Sequence, residues 1–113
     1  MKVNVRQRDG VTILDLKGKI TIGVGDVALR NAVQEAINGG ATRVIINLKD
    51  VTTIDSSGVG ELVSAYTTAT NRGAKLHLEN LPAKVTDILQ ITQLITVFDV
   101  YDTEDAAIRS FSE

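Results

Sequence analysis

The chain contains no cysteine, which excludes disulfide staples, thiolate-held metals and a cysteine nucleophile, and fits a reducing compartment. Aromatic residues make up only 4%, so Val, Ile, Leu and Ala must fill any core. No apolar run approaches the ~20 residues that a membrane span requires. After Met1 and Lys2 the chain alternates instead of running apolar, so its opening residues do not read as a signal peptide, and the expected address is the cytoplasm with no membrane partner. Basic residues do not cluster either: Lys2, Arg6, Arg8, Lys17, Lys19, Arg43 and Arg72 are scattered and the net charge is -2. That pattern argues against nucleic-acid binding and toward a protein partner or small ligand.

What is present is enough for one core and too little for two. The 113 residues are 43% hydrophobic and 23% charged, as expected of an ordinary globular domain spanning residues 1–113. Val3 and Val5 alternate with polar residues, Asp9-Gly10 supplies a turn in which both central residues take positive φ, and Val11, Ile13, Leu14 and Leu16 follow. This predicts an opening hairpin over about 2–8 and 11–17. From Asp26, read as an N-cap, Leu29, Ala32, Val33, Ala36 and Ile37 recur at helical spacing until Gly39-Gly40. The run 43–48, Arg-Val-Ile-Ile-Asn-Leu, has the composition of a strand buried on both faces.

A second helix is predicted from about Ser57 to Arg72, with Val59, Leu62, Val63, Tyr66 and Ala69 on one face and Gly73 closing it. A short strand at 75–78 follows, then a helix with Pro82 in its first turn and Val85, Ile88 and Leu89 inward. A strand near 97–100 and a terminal helix from about Thr103, carrying Ala107, Ile108 and Phe111, complete the chain. Strands alternating with helices require right-handed crossovers. The predicted fold is a small α/β domain, a mixed sheet with an antiparallel opening hairpin and parallel core strands, covered by about four helices.

The chemistry concentrates at Thr-Thr-Ile-Asp-Ser-Ser-Gly-Val-Gly-Glu-Leu, residues 52–62. Residues 49–58 read as the loop from the carboxyl end of the buried strand into the second helix, where ligands and chemistry usually sit in open α/β sheets. Asp55 or Ser56 can cap the helix, and Gly58 and Gly60 permit a tight entry. One cap is enough, so the second hydroxyl needs another reason. A helix N-terminus favours an anion, so a phosphate on Ser57 would be tolerated by the fold, while its ~1.5 to 2 negative charges beside Asp55 would repel a docked partner.

Other chemistries fit less well. A hydrolase elbow is not formed, because Asp55 stands two before Ser57 and Val59 two after, and the single histidine, His77, falls inside a strand, where core packing is its ordinary role. Gly23-x-Gly25 lacks both the third glycine of a dinucleotide fingerprint and the Lys-Ser/Thr of a Walker loop. Asp9, Asp15, Asp26, Asp50 and Asp55 show no spacing that forces a metal site, and no cofactor is expected. Tyr66 reads as core. Glu61, Ser64 and Thr68 are expected on the exposed face of the second helix, where they can supply part of a partner surface.

The run RVIINLKDVTTIDSSGVGELVSAYTTATNRGAKLHL, residues 43–78, resembles the STAS family, and within it the bacterial anti-sigma-factor antagonists. The resemblance extends more loosely through GVTILDLKGKI and ILQITQLITVFDVYDTEDAAI. It implies a STAS-like fold and a non-enzymatic partner switch. Such proteins bind an anti-sigma factor that is also a serine kinase; phosphorylation of the motif serine breaks that complex, and a metal-dependent serine phosphatase restores it. By position the phosphoacceptor is Ser57, with Asp55 and Ser56 shaping the acceptor loop and Gly58 and Gly60 its entry into the helix. Gly18-Lys19-Ile20-Thr21 departs from the family's usual Gly-Glu-Leu/Ile-Asp, and Ile22-Gly23-Val24-Gly25 follows it. The resemblance places that stretch, Thr21 included, near Ser57, with a less negative potential and altered partner contacts. A monomer or weak dimer is implied. The alternative is a constitutive scaffold or accessory subunit of a stress-signalling or transporter complex.

Overall fold

A computed structural model describes residues 1–112. The chain runs β1 (Lys2–Arg8), β2 (Val11–Ile20), α1 (Gly25–Asn38), β3 (Arg43–Ile54), α2 (Ser56–Asn71), β4 (Lys75–Glu79), α3 (Ala83–Ile91), a 3-10 turn (Leu94–Val97), β5 (Asp99–Tyr101) and α4 (Glu104–Ser110). The five strands lie in chain order in one sheet, with β1 antiparallel to β2 and every later pair parallel. The hairpin closes through Asp9 at φ 52° and Gly10 at φ 76°, the doubly positive turn its sequence predicts.

Each parallel pair is joined through a helix, and the sheet grows in one direction. Right-handed crossovers therefore place α1, α2 and α3 on the same face. There Leu29, Val33 and Ile37, Leu62, Ala65 and Ala69, and Val85 and Leu89 pack with Leu14, Leu16, Val44, Ile46 and Leu48 in the main core. The terminal helix α4 covers the other face, where Ala107 and Phe111 pack on Val11, Ile13 and Ile45. Residues 44–46 and Leu48 are fully buried, as the apolar run predicts for the central strand.

The structure corrects several boundaries. Residues 49–54 belong to β3, which pairs with β2 as far as Ile20 opposite Ile54, so the expected 49–58 loop shrinks to Asp55. Register shifts between Asp15/Lys17 and Gly18/Lys19 let β3 absorb extra residues as bulges and carry polar Lys49 and Asp50 at the surface. Asp26 is not the N-cap of α1: Val24 holds that position, and the Asp26 carboxylate instead accepts from the Gly23 and Val27 N–H groups. Pro82 stands at the N-cap of α3 rather than in its first turn. Leu94, Ile95 and Val97 pack on the core as a turn, so β5 begins later than predicted.

Candidate functional site

The carboxyl ends of β2 and β3 lie side by side, and the chain turns from each directly into a helix. Both helix starts press onto the last residues of β2. A Cβ on Gly25 would stand 2.0 Å from the Lys19 carbonyl oxygen, and one on Gly58 would stand 2.1 Å from that of Ile20. Only glycine allows this approach, so two helix N-termini converge on one strand end.

Asp55 joins the two turns. Its backbone is extended, and its Oδ1 accepts from the Gly58 N–H at 2.9 Å as the N-cap of α2, settling the choice between Asp55 and Ser56. Its Oδ2 accepts from the Ile22 N–H at 3.0 Å, across the gap to the β2–α1 loop. The N–H groups of Ile22 and then Gly58 hold this carboxyl below the usual carboxylate range, so it is an anion at neutral pH. Thr21 is half-buried in the same loop, and its carbonyl accepts from the Asp26 N–H at 3.2 Å. The structure thus brings Thr21 and its loop to the start of α2.

Ser56 is exposed and Ser57 half-buried, on the first turn of α2. Gly58 and Gly60 have different roles. Gly58 is buried against Ile20 and Ile54, whereas a Cβ on Gly60 would meet nothing within 4 Å, so Gly60 is not required for the tight entry. Gly60→Ala should therefore stabilise the fold by about 0.5 to 1 kcal/mol, the ordinary helix-propensity gain. Urea titration of the two proteins reads this directly.

Glu61 is buried, contrary to its expected exposure. It faces α1, where Arg30 grips it through two parallel bonds, Nε to Oε1 at 3.1 Å and Nη2 to Oε2 at 3.0 Å. It clamps α1 to α2 and is not available as partner surface. Ser64 is exposed and Thr68 half-buried. Tyr66 packs edge-on to Phe98 with ring centroids 5.8 Å apart, as a core residue should.

Two arrangements under α4 escape sequence reasoning because they join residues far apart in the chain. His77 Nδ1 lies 2.8 Å from Ser110 Oγ, and its Nε2 lies 3.4 Å from Asp99. The trio has the composition of a hydrolytic triad but is packed between α4 and the sheet. The Ser110 hydroxyl also reaches the carbonyl of Ala107 in its own helix, so it ties the end of α4 together as well as meeting the imidazole. Stacked on Phe111 at 4.1 Å, His77 instead fastens α4 to the sheet. Burial holds the imidazole below its usual pKa.

Beside it, Arg6 bridges Asp15 and Glu104, Arg8 reaches Glu104 and Asp105, and Asn47 donates to Asp15. Glu79 is fully buried beneath this network, and its Oε1 has no hydrogen-bond donor. Among the described residues no three His, Asp or Glu side chains converge as metal ligands, and no helix is long and apolar enough to cross a membrane.

Known proteins resemble this chain in sequence and in fold. The anti-sigma-B factor antagonist of Bacillus subtilis is 27% identical over 109 residues, covering 96% of this chain and 98% of that protein. An anti-sigma factor antagonist from Mycobacterium paratuberculosis superimposes with a TM-score of 0.87 at 21% identity, covering 99% of this chain and 94% of the other. The Bacillus cell fate determinant SpoIIAA in its phosphorylated form gives a TM-score of 0.74 at 21% identity, over 97% and 99% of the two chains. The model of the STAS domain matches residues 2–107, from the first strand into the helix that closes the far face of the sheet, and the chain belongs to the STAS domain family.

Proposed function

We propose that this protein is an anti-sigma-factor antagonist that acts as a phosphorylation-controlled partner switch, with residues 1–113 working as one unit. It binds an anti-sigma factor that is also a serine kinase, is released when Ser57 is phosphorylated, and is reset by a serine phosphatase. The observation that carries the reading is the start of α2. A serine hydroxyl lies in the first turn of a helix whose cap, Asp55, is already supplied by another residue. The relative from Bacillus subtilis is an antagonist of an anti-sigma factor and spans the same length, which supports the same role here.

The chemistry follows from the helix start. A phosphate on Ser57 gains the positive end of α2, which offsets part of its cost to the fold. It also stands two residues from the Asp55 anion, so the loop acquires a concentrated negative charge on the surface a partner must cover. Ser56 and Thr21 shape that surface. The chain performs no catalysis in this scheme; the transferred phosphoryl group and the catalytic groups belong to the kinase and the phosphatase. A monomer or weak dimer suffices.

The test is phosphorylation by the candidate kinase and ATP, read by intact mass, with binding measured for the wild type, Ser57→Ala and Ser57→Asp. Ser57→Ala should bind and take up no phosphate, while Ser57→Asp should bind at least 10-fold more weakly. Equal phosphorylation of Ser57→Ala and wild type removes the assignment. Elution from gel filtration as one large assembly, indifferent to phosphorylation, would point instead to a constitutive scaffold.

A further inference from the structure

The switch leaves one feature of its own site unexplained. The loop bonded to Asp55 displays Ile22 at 73% exposure and Val24 at 67%, followed by Val27 at 38%. Among the described residues these are three of the five large hydrophobic side chains left in solvent. Single exposed hydrophobics are ordinary, whereas three within six residues of chain concentrate apolar surface at one loop and helix start.

The backbone that carries them is pinned rather than loose. The Ile22 N–H bonds Asp55, the Gly23 N–H bonds the buried Asp26 carboxylate at 2.9 Å, and the Val24 carbonyl accepts from the Ala28 N–H at 2.9 Å. Gly23, at φ +95°, makes the turn that brings these bonds together. Side chains held out in this way lose little freedom when covered, which favours their use as binding contacts.

Position decides what covers them. Ile22 and Gly58 bond opposite oxygens of one carboxylate, so Ile22 lies within about 10 Å of Ser57. An interface of ordinary size takes about 800 Å² from each partner, a disc of roughly 16 Å radius. An enzyme that seats ATP against the Ser57 hydroxyl therefore extends over Ile22 and Val24. Lys19, which lines a shallow cleft together with Val24, gives the edge of the patch a positive charge.

Resting on the proposed function, we infer that Ile22 and Val24 form the specificity contact for the serine kinase that acts on Ser57. They insert into an apolar depression with an acidic rim on that enzyme, and Asp55 positions them by holding the Ile22 amide. The carboxylate that caps the acceptor helix thus also presents the docking residues, which ties recognition to the place of phosphorylation.

The double variant Ile22→Ser/Val24→Ser tests this, with the conservative pair Ile22→Val/Val24→Ile as control and the kinase that modifies the wild-type chain as probe. Both side chains are exposed, and serine at the Val24 N-cap favours α1, so the serine variant should unfold at a temperature no lower than the wild type. Its KM as a protein substrate should rise at least 10-fold with kcat little changed, the dissociation constant should rise in parallel, and the conservative pair should restore both. An unchanged KM and dissociation constant overturn the assignment. So does sedimentation showing that the serine variant splits a self-associated wild-type chain, which would give the patch to a second copy. Equal modification of Ser57→Ala and wild type is a different pattern, and it fells the proposed function and this contact together.

Discussion

Gly58→Ala should cost about 3 kcal/mol of folding stability and lower the midpoint of thermal unfolding by about 10 °C or more. The added methyl group would stand 2.1 Å from the Ile20 carbonyl oxygen, 2.8 Å from Ile54 Cγ1 and 3.0 Å from Ile20 Cγ2. The nearest of these is backbone at the end of β2, paired with Ile54 of β3, and cannot swing aside as a flexible side chain would. Either the end of β2 moves, breaking its register with β3 at Ile20 and Ile54, or α2 withdraws and takes the Gly58 N–H away from Asp55. Both routes disturb the start of α2, so under the proposed function binding of the kinase should fall with stability. The contrast with Gly60→Ala, two residues on in the same helix and expected to stabilise, separates steric conflict from helix propensity. Urea titrations of the two variants should move in opposite directions from wild type. A Gly58→Ala protein as stable as wild type would mean that the helix start is not pressed onto β2.

This contact also marks where sequence reasoning stops. Leu29, Val33 and Ile37, or Leu62, Ala65 and Ala69, repeat at helical spacing because each helix offers one stripe to the sheet, and a stripe is a local property. The turn at Asp9-Gly10 is local too. The far end of β3 is not. Polar Lys49 and Asp50 look like the end of a strand, and only pairing with β2, with its bulges, carries the strand on to Ile54. Asp26 looks like a cap because of its residue type, yet the packing of Gly25 on Lys19 starts the helix two residues earlier, with Val24 at the cap.

The candidate site divides along the same line. The cap at Asp55 and the two serines of the first turn were legible because a cap and a helix start are neighbours in the chain. The second bond of Asp55, to the Ile22 amide, joins two crossover loops and has no local signature. Glu61 was misplaced because helical position alone does not say which neighbour a polar residue faces; the bidentate pair with Arg30 depends on α1 lying beside α2. His77 with Ser110, and Glu79 with Glu104, are brought together only when α4 folds back over the sheet, the last step of the chain's path.

Glu79→Gln should stabilise the protein increasingly as pH rises, from almost no difference near pH 4.5 to about 1 to 3 kcal/mol above pH 8. Burial under α4, then the charge of Glu104 and a hydrogen bond with it, push the Glu79 carboxyl from 4.5 up to about 7. The geometry gives the reason. As a carboxylate, Glu79 has a buried Oε1 with no donor; as a carboxylic acid, it can donate to Glu104, while Asn80 serves Oε2 at 3.1 Å. Arg6 offsets part of the cost of charging it. Because the folded value lies above the unfolded one, the native state holds the proton more tightly. That contribution is complete below about pH 4.5 and is lost as pH rises through about 7. Glutamine keeps the shape and a donor but never ionises, so the loss is absent in the variant. Asp15 and Glu104 act in the opposite sense: Arg6 holds both carboxyls low, so their contribution is present above the usual carboxylate range and lost in acid. The burial-lowered imidazole of His77 also loses stability as pH falls, through the range where the unfolded histidine takes up a proton. Asp15 and His77 are common to both proteins and cancel in the difference between them, while Glu104, whose carboxyl Glu79 helps to hold low, titrates in acid, below the range compared. Urea titrations of wild type and Glu79→Gln at pH 5, 6, 7 and 8.5 therefore isolate the one buried carboxyl. A gap that widens through neutrality places the proton on Glu79 under α4, and a gap that stays constant with pH would mean that the carboxylate is satisfied in the native fold.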